Sequence, residues 1–124
     1  MIKGKCLCGE TEVEVDRLSD TVITCHCSMC RKQAGGPLFF SNAMKDKSFT
    51  FTKGSNLTVY PSSESAERAF CKVCGTFIYM YYKEKKNTHF NVELFDDMEK
   101  THVRQIHLED KPAYYDLSST RNDD

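Results

Sequence analysis

The sequence has no tryptophan, only three prolines, and no apolar run approaching the ~20 residues that a membrane-spanning helix requires. Charges of the two signs nearly cancel, with 17 Lys and Arg against 18 Asp and Glu and a net charge of -1. This balance gives no whole-chain attraction to phosphate polymers or anionic lipids, which argues against nucleic acid and membranes as partners. The first residues also lack the charged and then apolar pattern of a secretion signal, so we expect a protein of the reducing cytoplasm.

Cysteine, by contrast, is abundant and clustered. The seven cysteines form three groups, which are Cys6 and Cys8, then Cys25, Cys27 and Cys30, and finally Cys71 and Cys74. A disulfide framework is the alternative to metal binding, but the count is odd and cysteines one residue apart are poorly placed to bridge each other. Thiolates at such short spacings are typical zinc ligands. We therefore predict two zinc ions per chain.

The seven thiols divide naturally into four and three. A structural zinc takes four protein ligands, whereas a reactive zinc keeps three and leaves one position open. In the group of three, Cys30 is expected at the start of a short helix, whose N-terminus favours thiolate over thiol. The open position would take water, an incoming thiol or a histidine, the candidates being His26, His89, His102 and His107. A closed site capped by one of these histidines is the alternative to a reactive site.

Apolar and polar residues mostly alternate along the chain, which is the period of β-strands. Strands are predicted at residues 11–15, 38–43, 49–52, 57–60, 76–82 and 89–94. One helix is predicted from Ser28 to Ala34, where two glycines and a proline stop it, and a short turn is expected after Asp97. We expect one mostly β, zinc-binding domain over residues 1–117, followed by a polar tail at residues 118–124.

The segment CHCSMCRKQAG, together with KGKCLCGETEVEV and RAFCKVCGTFIY, resembles the glutathione-dependent formaldehyde-activating family, which includes centromere-protein-V-like proteins. The resemblance extends from about Gly4 to Asp116 and includes all seven cysteines in the family's order. It implies a β-tent fold of antiparallel sheets. It also implies the ligand sets, with Cys6, Cys8, Cys71 and Cys74 on a structural zinc and Cys25, Cys27 and Cys30 on a second zinc.

The resemblance further implies a carbon-sulfur lyase that joins formaldehyde and glutathione to S-(hydroxymethyl)glutathione, with glutathione or a related small thiol as partner. Cys25, Cys27, Cys30 and Arg31 are then the predicted catalytic residues, since an open zinc binds thiol sulfur and a cation polarises a carbonyl. Lys32 is a candidate contact for a substrate carboxylate. Weaker candidates for the pocket wall are Ser62, Ser63 and Arg68.

The second half of the chain departs from the family pattern. The segment Asn91 to Asp97 lacks the family's glycine, and Tyr114 or Tyr115 lies where a tryptophan is usual. These changes leave the predicted metal ligands intact and fall where substrate contacts are expected to vary. The alternative to an enzyme is therefore a zinc-stabilised module that binds a thiol or a protein partner without turnover.

Overall fold

The computed structural model describes residues 1–96 and 102–117, and these residues form a mostly β structure. Within this part of the chain no helix is long and apolar enough to cross a membrane. The strands and the α-helix are, in chain order, β1 (Ile2–Lys5), β2 (Glu12–Val15), β3 (Thr21–Cys25), α1 (Ser28–Ala34), β4 (Leu38–Phe40), β5 (Phe49–Lys53), β6 (Leu57–Tyr60), β7 (Ala66–Cys71), β8 (Phe77–Tyr82), β9 (Asn87–Phe90) and β10 (His102–Ile106). Short 3-10 turns lie at Asp46–Ser48, Val92–Leu94 and Leu108–Asp110.

The strands make three sheets, in the orders β1-β2-β5, β10-β3-β4 and β6-β7-β8-β9. All neighbouring pairs are antiparallel except β10 and β3, which run parallel and bring His102–Ile106 beside Thr21–Cys25. A parallel pair needs a long crossover connection, and here most of the chain supplies it. The predicted mostly β fold with antiparallel sheets is confirmed.

Two apolar clusters hold the sheets together. The larger lies against the first and third sheets, and includes Val13, Val15, Ile78, Phe90 and Phe95. Phe90 is fully buried and meets other rings edge-on, with a centroid distance of 5.0 Å to Phe49. The smaller cluster joins the second and third sheets through Leu38, Phe40, Phe77 and Met80. Each cluster also contains buried cysteines, so both cysteine groups sit at the edge of a packed core.

One close backbone approach fixes the N-terminal strand to the core. Gly4 forms an isolated bridge with Phe95, and a Cβ at position 4 would lie 2.6 Å from an aromatic carbon of that ring. Leu94 crowds the same position, at 3.1 Å. No side chain fits there without displacing these residues, so glycine is required at this point of β1.

Several predicted elements have the expected bounds. The helix runs from Ser28 to Ala34 and ends at Gly35, whose φ of 77° is the left-handed cap that glycine adopts easily. The strand predicted at 89–94 instead spans Asn87–Phe90, and it ends there because the Asn91 side chain accepts a hydrogen bond from the Glu93 amide and starts a 3-10 turn. The strand predicted at 38–43 ends at Phe40. Strands β1, β3, β7 and β10 are additional to those predicted. The turn expected after Asp97 and the tail at 118–124 lie outside the described residues.

Candidate functional site

The first cysteine group joins two distant turns. Cys6 and Cys8 follow β1. Cys71 is the last residue of β7, and Cys74 lies in the turn after it. All four Sγ atoms lie within 4.8 Å of one another, with 3.6 Å between Cys6 and Cys8 and 3.9 Å between Cys8 and Cys71. Four ligands at a Zn–S distance of about 2.3 Å in a tetrahedron lie about 3.8 Å apart, whereas a disulfide measures about 2.05 Å. The group therefore has the shape of a four-thiolate metal site.

The two turns repeat one local design. Gly9 and Gly75 each have φ near 80° and each donates its amide to the carbonyl of the first cysteine of its pair, at 3.2 and 2.7 Å. Only glycine adopts this φ without strain, which explains why both pairs are followed by glycine. Amides also approach the sulfurs, from Glu10 to Cys8 at 3.4 Å and from Thr11 to Cys6 at 3.3 Å. Such donors favour the thiolate form that a metal requires.

The second cysteine group is built on a strand end and a helix start. Cys25 is the last residue of β3, Cys27 is the N-cap of α1, and Cys30 lies in its first turn. Their Sγ atoms lie within 4.8 Å of one another, and among the described residues no fourth Cys, His, Asp or Glu belongs to this group. Cys25 and Cys30 are buried, whereas Cys27 is half-buried. The group, called the triad below, can hold a metal ion through three sulfurs.

The predicted candidate histidines are engaged elsewhere or lie at a distance along the fold. His26 is fully buried and both ring nitrogens are in hydrogen bonds, Nδ1 with the Tyr115 hydroxyl at 2.7 Å and Nε2 with Gln105 Oε1 at 2.9 Å. His89 Nδ1 donates to the Ser41 carbonyl, at 3.0 Å. His102, at the start of β10, lies 3.7 Å from Asp20.

His107 is the remaining histidine candidate. It is exposed, lies 3.7 Å from Glu109 and borders the cavity beside the triad. In the arrangement described, the triad therefore keeps a face without a protein ligand. This observation favours the open site over the capped one.

Arg68 is the most unusual side chain of the site. It is only 3 % exposed, and its Nη2 donates to Cys30 Sγ at 3.5 Å. Its other two nitrogens, Nε and Nη1, are buried and have no hydrogen-bond partner among the described residues. Buried guanidinium N–H groups are costly when unpaired, so these two donors indicate a partner that the described residues do not supply.

Electrostatics within the triad favour one thiolate. A hydrogen bond from the Cys25 thiol is the largest cause that lowers the pKa of Cys30 to about 5; burial opposes the shift and the Arg68 guanidinium adds to it. The same hydrogen bond raises the pKa of Cys25. A thiolate beside a fixed cation and a half-exposed thiol is an arrangement suited to a soft metal ion.

The third sheet aims Arg68 at the triad through its register. Tyr60, Arg68, Met80 and His89 are direct neighbours across β6, β7, β8 and β9, so their side chains share one face. Because residues opposite each other in adjacent strands point the same way, these four side chains lie on the face of the sheet that is turned toward the triad. Arg68 was only a weak candidate in the sequence, where a charged residue next to Glu67 is typical of a solvated strand edge.

Two connected cavities lie on the Arg68 side of the triad. One, of about 230 Å³, is lined by all three triad cysteines and by Arg68 and Ser62. It shares Arg68, Ser62 and Met29 with a second cavity of about 330 Å³, whose wall also contains Lys32, Gln33 and Tyr60. The wall of the second cavity therefore carries two cations and no carboxylate. This combination favours an anionic ligand next to the triad.

The other predicted site residues are distributed around these cavities. Lys32 and Ser62 line them as expected, and Ser63 borders the cavity of the triad. Arg31 instead donates from Nε to the His26 carbonyl at 3.0 Å and from Nη2 to the Asp110 carbonyl at 3.5 Å. These bonds tie α1 to neighbouring loops. The catalytic role of Arg31 stays a prediction, and the geometry offers Arg68 as the cation nearer the sulfurs.

Comparison with known proteins identifies the family. Residues 1–109 match the sequence model of the glutathione-dependent formaldehyde-activating enzyme. The chain belongs to this family. It is 35% identical over 120 residues to an uncharacterized lyase of Schizosaccharomyces pombe, an alignment that covers 94% of the chain and 85% of the relative.

Two further matches agree with this membership. A Halomonas elongata protein named after the glutathione-dependent formaldehyde-activating enzyme is 25% identical over 133 residues, covering 99% of the chain and 85% of that protein. The crystal structure of a Rhodobacter sphaeroides protein superimposes with a TM-score of 0.66 at 26% identity, covering 78% of the chain and 90% of its own. The expected family and its fold are thus confirmed, and the two cysteine groups of this chain could hold metal ions.

Proposed function

We propose that this protein is a zinc-dependent carbon-sulfur lyase that reversibly joins a small anionic thiol, such as glutathione, to an aldehyde at the triad. Cys6, Cys8, Cys71 and Cys74 hold a structural zinc, and Cys25, Cys27 and Cys30 hold the second. The working unit is a single domain of residues 1–117, acting in the cytoplasm. The observation that carries the proposal is Arg68, whose buried Nε and Nη1 lack hydrogen-bond partners among the described residues, beside three sulfurs that could hold a metal ion.

The donor sets suit zinc at both places. All seven ligands are sulfur, and the sulfur separations of 3.6 and 3.9 Å in the first group match tetrahedral thiolate coordination. At the triad, a bound zinc ion would supply Lewis acidity and lower the pKa of a thiol that reaches it. The charge of Arg68 offsets the excess negative charge of three thiolates around a divalent cation.

The side chains around the triad provide binding and orientation. Lys32 and Arg68 attract the carboxylates of an anionic thiol into the cavities, and Gln33 and Ser62 offer further hydrogen bonds. The thiol sulfur then lies at the triad end of the cavities, next to Cys27, the most accessible of the three cysteines. Holding both reactants in one cleft lowers the entropic cost of their reaction.

The bond-forming step is an addition without oxidation or reduction. The thiolate sulfur attacks the carbonyl carbon, a C–S bond forms, the π pair of the carbonyl moves to oxygen, and that oxygen receives the proton that the thiol released. Arg68 is the group of this chain that is placed to donate to the developing oxyanion, since it lines the triad cavity and its Nη2 lies 3.5 Å from Cys30 Sγ. The reverse direction breaks the same C–S bond and returns the thiol and the aldehyde.

The decisive experiment measures turnover above the spontaneous rate. Glutathione and formaldehyde combine without help, so two-dimensional exchange NMR at equilibrium is used to compare their interconversion rate with and without the zinc-loaded protein. Native mass spectrometry of the same sample reports the zinc count and any glutathione adduct. We expect acceleration by the wild type and its loss in Cys27→Ser, where serine still caps the helix but removes one sulfur ligand.

The alternative, a thiol-binding or interaction module without turnover, gives a different result in the same samples. It predicts a glutathione adduct in the mass spectrum with an exchange rate equal to that of the protein-free control. Two zinc ions with neither adduct nor acceleration would contradict the proposal altogether.

A further inference from the structure

A third cavity adjoins the triad at Cys25. It has a volume of about 230 Å³ and lies between the second sheet and strands β8 and β9. Its lining is mainly apolar and aromatic, and consists of Ile23, Phe40, Met80, Tyr82, His89 and Ile106, together with Cys25 and the exposed Arg104. No carboxylate is among these described residues. We call it the apolar cavity.

Strand register produces this lining. Ile23 and Cys25 occupy alternate positions of β3 and therefore face the same side. Ile106 of β10 pairs with Cys25, and Phe40 of β4 pairs with Ile23, which extends that mainly apolar face across the sheet. The exposed Arg104 also pairs with Ile23 and is, among the described residues, the one cation on this face. Met80, from the row that also holds Arg68, supplies the opposite wall. The cavity is thus built on rigid strands rather than on loops.

The apolar cavity is continuous with the site of the proposed chemistry. It shares Cys25, Met80 and Tyr82 with the cavity that contains all three triad sulfurs. Arg68 lines the cavity of the triad sulfurs and contacts Cys30. The triad therefore adjoins both a cavity with a buried cation in its wall and a mainly apolar cavity. Two reactants of different character can meet there.

The aromatic groups in the apolar cavity present no ionic charge. His89 donates from Nδ1 to the Ser41 carbonyl, and burial lowers the pKa of His89, so its ring is neutral near pH 7. Its ring meets Tyr82 and Phe40 edge-on, at centroid distances of 5.7 and 6.4 Å. The apolar side chains of this wall favour contact with hydrocarbon groups over contact with water.

We infer that the aldehyde used by this protein carries an apolar substituent, aliphatic or aromatic, which occupies the apolar cavity while the carbonyl carbon meets the thiol sulfur at the triad. The inference rests on the proposed function and names its second substrate class. Formaldehyde bears only hydrogen on its carbonyl carbon and leaves the cavity unused. Since one water takes about 30 Å³ of liquid volume, the cavity has room for a substituent of about seven heavy atoms.

The size of the effect follows from burial of hydrocarbon. Each methylene transferred from water to an apolar site improves binding by about fourfold. If the substituent is buried in the transition state, kcat/KM should rise by up to that factor per carbon and level off when the cavity is full. The reaction remains the balanced addition described above, with the substituent as a spectator.

The first test detects occupancy without any turnover. The four isoleucine methyl groups are labelled, and the zinc-loaded protein is titrated with straight-chain alcohols from ethanol to hexanol, which resemble the aldehydes but do not react with thiols. We expect the signals of Ile23 and Ile106 to shift, more strongly with longer chains, while the core residue Ile78 serves as the unshifted reference. Unshifted Ile23 and Ile106 signals up to the solubility limit of hexanol would overturn the inference.

The second test measures specificity. Rates of hemithioacetal exchange with glutathione are compared for formaldehyde, acetaldehyde, butanal and hexanal, each corrected for its spontaneous rate. We expect the ratio of hexanal to acetaldehyde kcat/KM to exceed ten, and to fall severalfold in Ile106→Phe, whose ring fills the apolar cavity. Val59→Phe, which adds similar bulk at an exposed position of β6, should keep the wild-type ratio.

The outcomes separate this inference from the proposed function. Acceleration of formaldehyde with a flat or falling chain-length profile overturns the inference and leaves the lyase standing. Absence of acceleration with every aldehyde refutes the lyase itself and the aldehyde assignment with it. Folding of each variant is checked by circular dichroism. Because the alcohol titration uses the wild type, the inference stays falsifiable even if Ile106→Phe does not fold.

Discussion

Replacing Arg68 with methionine should raise the free energy of unfolding and lower the affinity of the triad for a metal ion. Arg68 is 3 % exposed, and within residues 1–96 and 102–117 its one hydrogen bond goes from Nη2 to Cys30 Sγ at 3.5 Å. Nε and Nη1 are buried without partners among the described residues. Methionine keeps the unbranched stem that packs in the row with Met80 and removes the three donors together.

The magnitudes follow from these contacts. Each unpaired buried donor costs about 1 to 3 kcal/mol, whereas a hydrogen bond to a charged group contributes about 1.5 to 3 kcal/mol. Removing two unpaired donors and one bond should therefore raise the free energy of unfolding by about 2 kcal/mol. The loss of a cation 3.5 Å from Cys30 Sγ weakens binding of metal to the triad by about 2 kcal/mol, which is about thirtyfold in affinity.

The free energy of unfolding and the metal affinity of the triad must be measured in different protein variants. Stability is measured by urea denaturation of Arg68→Met in a Cys27→Ser chain, in which the triad is incomplete and native mass spectrometry has verified one zinc on the first cysteine group. Metal affinity is measured with the triad intact, by competition with a chromogenic chelator. Arg68→Lys is the matched control, since it keeps the charge and removes the planar donor pair. It should retain most of the metal affinity.

A decrease of several kcal/mol in the free energy of unfolding of Arg68→Met, measured in the Cys27→Ser background, would contradict this prediction. That result would mean that the guanidinium is already satisfied inside the fold and has no donors left for a ligand. Unchanged metal affinity in Arg68→Met would separately refute its electrostatic role at the triad.

Two pairs of substitutions test the remaining structural claims. Cys71→Ser should unfold the protein or lower its melting temperature sharply, since structural zinc contributes on the order of 10 kcal/mol in small zinc-finger peptides. Cys27→Ser should instead release one zinc from a folded chain, and equal circular dichroism melting curves for the two variants would contradict this difference. Gly4→Ala should cost about 1 to 3 kcal/mol in urea denaturation because its Cβ would meet aromatic carbons at 2.6 and 2.7 Å. Gly54→Ala, where the nearest side-chain atom is 3.4 Å away, should change stability by less than about 1 kcal/mol, and a similar loss in both would refute the steric account.

Elements with local signals were predictable, and those stabilised by distant partners were not. The helix from Ser28 to Ala34 is followed directly by Gly35, the residue type that commonly ends a helix. Strand β10, with the sequence HVRQI, shows no clear alternation and forms because β3, about 80 residues earlier in the chain, supplies its hydrogen bonds. Strand β7 contains two alanines and two charged residues, and its burial depends on β6 and β8 on either side.

The cysteine groups show the same contrast within one site. Their spacing and following glycines predicted donors for two metal ions, and residues within a turn are enough to explain that geometry. The approach of Cys8 to Cys71, 63 residues apart, depends on the packing of the first and third sheets. The resemblance to the family, rather than the spacing, supplied that pairing before the structure did.

The amino-acid sequence by itself determined the ligand atoms, the turns that present them, and the family. The tertiary structure decided that Arg68 is buried against Cys30 rather than solvated at a strand edge, and that the triad adjoins both the cavity lined by Arg68 and the apolar cavity. The physical reason is the distance along the chain over which the interactions act. Turn conformation depends on φ, ψ and hydrogen bonds within a few residues, whereas burial and cavity shape depend on which strands pack together across the whole chain.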